Sequence, residues 1–170
     1  MSIALHTPEP VVLELKLQWK RAGRIRRSID GRTLQFTKVE NDPGVYRIMF
    51  EADRVSRQVY IGESEDRRRR AQAYQRGRAG QGTTRRVHDA LKETLRQPGA
   101  TARFQVAREP AFKVRGRLVP LVMTSSFNRR MVENAALVYA AMRGRAAVFN
   151  AETGRRAEPQ TATSRKSGRT

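Results

Sequence analysis

The sequence predicts an α/β domain of the α+β type, a small and mainly antiparallel three-stranded sheet flanked by helices. Three observations predict it. Two β-rich runs, Gly44–Phe50 and Gln58–Ile61, are separated only by the polar segment Glu51–Arg57, the pattern of a hairpin. The second run leads past Gly62 straight into Arg67–Arg76, an arginine-rich stretch that Ser64 or Asp66 can cap as a helix. A third strand, Ala102–Ala107 with Phe104 and Val106, lies between two segments of helical apolar spacing. With 170 residues the chain has material for one ordinary core. The expected division is a partly ordered N-terminal extension over 1–40, a domain over 41–150 and a basic tail over 151–170.

In chain order, Met1–Pro10 reads as loose, and Val11–Leu17, with Val12, Leu13, Leu15 and Leu17 apolar, fits a strand or a short helix. Lys20–Arg27 (KRAGRIRR) is a basic cluster broken by Gly23, either a DNA-contacting arm or a solvated loop. Asp30-Gly31 makes a hairpin turn within Ser28–Lys38. The core hairpin follows, with Val45, Ile48 and Phe50 on its first strand and Val59 and Ile61 on its second, which Gly62 ends. Gly77–Gly82 is a flexible connection. Thr83 or Thr84 caps a helix to about Arg96, with Val87, Ala90, Leu91 and Leu95 on one face, and Pro98-Gly99 ends it. Phe112–Met123 folds about Gly116 as a second hairpin. Ser125 or Ser126 opens a long helix, Phe127–Arg143, that buries Val132, Ala135, Ala136, Val138 and Tyr139 and stops at Gly144. Val148–Phe149 returns to the sheet. The residues beyond Asn150 carry almost no large apolar side chains and read as disordered.

Charge narrows the function. Thirty-five Lys and Arg against 16 Asp and Glu give a formal net charge of +19, which attracts polyanions at long range. Nucleic acid is the commonest partner of such a chain. An anionic membrane is the rival, but no basic helix sets large apolar residues opposite its charges, and no apolar run approaches spanning length. The absence of cysteine excludes disulfides and thiolate metal sites. The N-terminal stretch lacks the pattern of a secretion signal, so a cytoplasmic protein is expected.

The core carries a set of residues in a fixed order. Tyr46 ends a GVY triplet (44–46), and Tyr60 opens a YIG triplet (60–62) fourteen residues later. Arg70 follows Tyr60 by ten residues, and Tyr74 lies one helical turn on. Glu133 sits in the long helix and Asn150 ends VFN. In these residues, over roughly Gly44 to Asn150, the chain resembles the GIY-YIG nuclease family, which includes homing endonucleases, restriction enzymes and an excision-repair nuclease. The resemblance implies a metal-dependent endonuclease acting on double-stranded DNA, with restriction-type, sequence-specific cleavage as the first expectation. A non-specific repair, defence or toxin nuclease is the next. A non-catalytic basic nucleic-acid-binding protein on the same scaffold is the alternative of another class. A palindromic site would call for a homodimer or two successive cuts.

Phosphodiester hydrolysis needs an activated water, charge stabilisation on the phosphoryl oxygens and help for the leaving oxygen. Glu133 is the best metal ligand in the chain. Mg²⁺ or Mn²⁺, one ion per site, prefers carboxylate oxygen and keeps most of its waters, so a single carboxylate suffices. Arg70 is one of four consecutive arginines, of which only one or two can face a shared cleft. The resemblance implies that Arg70 grips the scissile phosphate, for which a guanidinium fork is suited. Arg67, Arg68 and Arg69, with Arg85, Arg86 and His88, are then candidates for nucleic-acid contacts, and His88 is alternatively a second acid or base. Tyr74 shares a face with Arg70. The resemblance implies that Tyr46 helps to deprotonate the water, and Tyr60 is expected to share the cleft. A free phenol ionises near pH 10, so Tyr46 needs a nearby cation or metal-bound water for that role. Gly62 and Asn150 are expected to hold the site's backbone. One position departs from the family pattern: Glu63 stands where several members have lysine, and it can bind metal or pair with an arginine such as Arg67.

Overall fold

The structure, a computed structural model, describes residues 12, 14–52, 57–77, 82–144 and 147–150. The expectations for Met1–Pro10, for most of the Gly77–Gly82 connection, for the tip of the core hairpin and for the tail past Asn150 lie outside these residues.

The elements in order are β1 (Glu14–Arg27), β2 (Leu34–Phe36), β3 (Gly44–Glu51), β4 (Arg57–Ser64), α1 (Arg67–Arg76), α2 (Gly82–Thr94), β5 (Thr101–Val114), β6 (Arg117–Pro120), α3 (Ser126–Arg143) and β7 (Ala147–Val148). The strands form one mixed sheet in the order β2-β1-β5-β3-β4-β7, with β6 folded back on β5. Every neighbouring pair is antiparallel except β4 and β7.

The sheet therefore has seven strands where three were expected. The difference begins at β1, which joins Glu14–Leu17 of the ambiguous Val11–Leu17 run and the basic KRAGRIRR cluster in one strand paired along β5. Register shifts between Lys16 and Gln18, and between Arg21 and Gly23, break the two-residue alternation by which a strand is read. Gly23 is no breaker of the cluster. A Cβ there would lie 2.0 Å from the Thr37 carbonyl oxygen, so the close crossing of that backbone requires glycine. The turn at Asp30-Gly31 does join β1 to β2, with Gly31 at φ 68°.

The two sheet faces are covered by different helices. On one face Ile25, Leu34, Ile48, Phe50 and Phe104 pack with Ala71 and Tyr74 of α1 and Val87 and Leu91 of α2. On the other, Val45, Val59 and Ile61 pack with Val132 and Ala136 of α3. Strand β4 is thus covered on both sides, and Val59 to Gly62 are all buried. It does not end at Gly62 but runs on to Ser64, which pairs with Gly44. Helix α3 starts from its Ser125 cap and stops at Gly144 in the left-handed region. Its buried face is Arg129, Val132 and Ala136, whereas Val138 and Tyr139, expected inside, are 59% and 58% exposed. Among the described residues no helix is long and apolar enough to cross a membrane.

Candidate active site

The β3–β4 register builds the centre of the site. Tyr46 lies opposite Gly62 and Ile48 opposite Tyr60, so alternation sends both tyrosines to the α1 face. Helix α1 begins one loop later from Asp66, whose side chain accepts the Arg69 amide at 2.8 Å. Tyr74 then projects from α1 onto the same spot. The Tyr46 and Tyr74 hydroxyls are 2.6 Å apart, and Tyr74 donates to the Tyr60 hydroxyl at 3.2 Å. The three rings meet tilted or edge-on at centroid distances of 6.0 to 6.3 Å. Tyr46 also stacks on Phe104 at 5.1 Å. Tyr46 and Tyr74 are 1% and 0% exposed and Tyr60 7%, so all three rings are buried.

This arrangement explains the glycine of the YIG triplet. A Cβ on Gly62 would stand 2.7 Å from the Tyr46 hydroxyl and 2.9 Å from its ring carbon. That ring is rigid and held between Phe104 and Tyr74, so it has little room to yield. Gly62→Ala should cost about 1–3 kcal/mol of stability by overpacking. Part of that cost should vanish in a Tyr46→Phe background, where the nearest clashing atom is gone while the ring carbon at 2.9 Å remains. Chemical denaturation of the two single variants and the double variant checks the coupling.

Burial sets the proton chemistry. Desolvation is the main reason that Tyr46 ionises well above the usual tyrosine range, with Tyr74 and Tyr60 adding to it and Arg70 opposing it. Tyr74 is raised well above that range for the same leading reason. Both are therefore phenols at neutral pH. Arg70 is half-buried, which works against its charge, but the Tyr46, Tyr74 and Tyr60 oxygens and Glu63 favour it, and the net shift is upward. Because the folded state keeps the two phenolic protons that the unfolded chain releases near pH 10, stability should hold up to about pH 10 and fall above it. Each of the two tyrosines contributes up to about 1.4 kcal/mol per pH unit to that fall. Tyr46→Phe should remove its share of the slope, as read from denaturation midpoints between pH 9 and 11.

Glu63 follows the triplet on the opposite face, and its partner is Arg129 rather than Arg67. The Arg129 guanidinium donates to it at 2.6 Å and to the Met123 and Thr124 carbonyls at 2.9 and 2.8 Å. Arg129 is buried, so these bonds satisfy a charge held away from water. Glu133 lies one turn after Arg129 and beside Val132, on the half-buried stripe of α3 that faces the sheet. Among the described residues no three His, Asp or Glu side chains group as a ready-made metal site. The donor chemistry suits a hard cation that keeps most of its water, held by one carboxylate; it would not suit a site fully coordinated by protein. Arg129 went unnoticed in the sequence, although its position four residues before Glu133 is the signal that could have found it.

The other expected residues are dispersed. Arg67 is 4% exposed, and its side chain binds Asp42, with Nε at 3.1 Å, and reaches Glu40 at 4.0 Å. It ties the start of α1 to the loop before β3, which leaves its side chain buried rather than presented on the surface. Arg68 and Arg69 are exposed, and the Arg68 Nε donates to the Val39 carbonyl at 3.2 Å. Arg85 and Arg86 are exposed on α2, Arg85 beside Asp89 at 3.7 Å and Arg86 over the Phe149 ring at 5.7 Å. His88 is half-buried, with Nδ1 2.7 Å from the Tyr74 carbonyl oxygen and its ring against Gly77, a joint between α1 and α2. Asn150 bonds both polar groups of Ile61, accepting its amide at 3.2 Å and donating to its carbonyl at 2.7 Å. It thereby extends the β7 pairing along the β4 edge up to the residue before Gly62.

No family model matches this chain, and no curated protein sequence matches it. Among solved structures, the restriction endonuclease HPY188I in complex with product DNA is similar over 74% of this chain and 75% of that chain, with 16% identity and a TM-score of 0.40.

Proposed function

We propose that the chain is a metal-dependent endonuclease of the GIY-YIG type that hydrolyses phosphodiester bonds of double-stranded DNA, with restriction-type cleavage at defined sites. The observation that carries this reading is the convergence of Tyr46, Tyr60 and Tyr74 in one hydroxyl chain within electrostatic reach of the half-buried Arg70. A structural role alone would not call for three linked phenols beside an arginine held charged against burial.

In this reading a water oxygen forms the new bond to phosphorus as the bond to the leaving sugar oxygen breaks. Arg70 binds two phosphoryl oxygens and offsets the charge that gathers on them. Tyr46 is a phenol in the resting site and cannot begin as a phenolate base. It accepts the water's proton while passing its own to Tyr74. Tyr74 passes one to Tyr60, and Tyr60, the least buried of the three, releases one to solvent. The leaving oxygen takes a proton from water. Glu133 would hold the Mg²⁺ or Mn²⁺, whose charge supplies electrostatic stabilisation to the phosphoryl and leaving oxygens.

The test is incubation of supercoiled plasmid with the protein in Mg²⁺ or in EDTA. Metal-dependent cutting to discrete fragments is the expected result, and a smear would replace site-specific cleavage with a non-specific nuclease. Retained gel-shift binding with no cutting of DNA or RNA would replace the enzyme with a basic nucleic-acid-binding protein.

A further inference from the structure

On the sheet face away from the tyrosines, α3 covers only part of the surface and leaves a cleft of about 790 Å³ against β1, β3 and β4. Its walls include Leu15, Leu17 and Trp19 from β1, Arg47 and Met49 from β3, and Tyr139 and Arg143 from α3. Two aromatic rings in this cleft each carry a guanidinium. Arg47 lies 4.5 Å over Trp19 and Arg143 lies 5.2 Å over Tyr139. Tyr139 is 58% exposed, an unusual position for a ring that α3 could have turned toward the sheet.

The charges here are one-sided. Glu51 is the acid at the end of the cleft, and it is taken by Arg103 at 2.9 Å and Arg57 at 3.9 Å. Arg47 bonds the neutral Gln105 at 2.6 Å. Among the described residues no carboxylate lies within ion-pair distance of Arg47 or Arg143, nor of Arg21 or Arg24. Arg21 pairs across the sheet with Gln105 and Arg24 with Arg103. Directly opposed residues share a face, so Arg21 and Arg24 continue the same surface beyond Trp19.

We infer that this face is a second nucleic-acid site, one that takes unpaired bases of a single strand. A base has an apolar ring face, and aromatic and guanidinium planes are what it stacks on; the phosphates beside it are anions that arginines attract. A duplex hides its base faces and could use only the arginines. An apolar partner helix would gain nothing from the cations, and a second copy of this chain would bring its own excess of positive charge to them. The inference concerns binding on the face opposite the hydroxyl chain, since Tyr46 and Arg47 are neighbours on β3 that point to opposite sides. It does not rest on catalysis.

Trp19 is the single tryptophan of the chain, so its fluorescence reports the cleft alone. The experiment titrates the full chain, in EDTA, with a fluorescently silent single-stranded oligonucleotide and with the duplex of the same sequence. Saturable quenching by the single strand is expected, about tenfold tighter than any quenching by the duplex. Tyr139→Ala and Arg143→Ala, both at exposed positions, should each weaken the single-strand affinity several-fold to about tenfold while leaving the melting temperature in place. Binding seen by anisotropy without quenching, equal quenching by both nucleic acids, or affinities unchanged in both variants would overturn the inference. So would a concentration-dependent dimer that shields Trp19, which would assign the cleft to a second copy. Loss of plasmid cleavage would leave this outcome untouched, because no arm of the experiment requires cutting.

Discussion

Glu133→Ala is expected to abolish Mg²⁺-dependent cleavage, lowering the single-turnover rate by about 10³-fold or more. That magnitude follows from the several kcal/mol of charge stabilisation that a bound cation supplies in phosphoryl transfer. Calorimetric titration with Mn²⁺ gives a readout independent of turnover and should lose its binding heat in the variant. The contrast is Glu63, the carboxylate that follows the YIG triplet. It neutralises buried Arg129, so Glu63→Gln should lower the melting temperature and leave Mn²⁺ binding in place. A Glu133→Ala protein that still cuts in Mg²⁺, beside a Glu63→Gln protein that does not, would move the metal to Glu63.

Arg70→Ala should lower the cleavage rate by about 10²- to 10³-fold, the range expected when one preorganised donor to a developing oxyanion is removed. Arg70→Lys should recover only part of it, because an ammonium keeps the charge but loses the fork that spans two phosphoryl oxygens. The neighbouring arginines provide the control. Arg68 and Arg69 are exposed on the same helix, and replacing either should reduce the dependence of DNA binding on salt by about one phosphate contact with little effect on the chemical step. If Arg68→Ala or Arg69→Ala slowed single-turnover cleavage as much as Arg70→Ala, spacing would have selected the wrong member of the run.

Local elements with short-range signals are legible in the order of the residues. The β3–β4 pair is visible in Val45, Ile48, Phe50, Val59 and Ile61, because period-two alternation and β-branched residues act within a few positions. Helix α1 starts after its Asp66 cap and ends at Arg76, since the start was written in the polar residues before it. The same spacing rules put Tyr74 one turn from Arg70.

What those residues meet depends on long-range packing. The four arginines of α1 are chemically alike in sequence, yet packing buries Arg67 on Asp42, half-buries Arg70 beside the tyrosines and leaves Arg68 and Arg69 in solvent. Gly62 reads as a strand terminator, and the need for glycine appears only once Tyr46 lies across it from β3. Strand β1 was hidden because bulges shift its register and because its partner, β5, is remote in the chain. Val138 and Tyr139 fit the helical stripe as well as Val132 does, but α3 meets the sheet along Arg129, Val132 and Ala136, turned there by the pairing of Arg129 with Glu63. Periodicity fixes which residues share a face. Which face is buried, and against which charge, is settled by partners that lie far away in the chain.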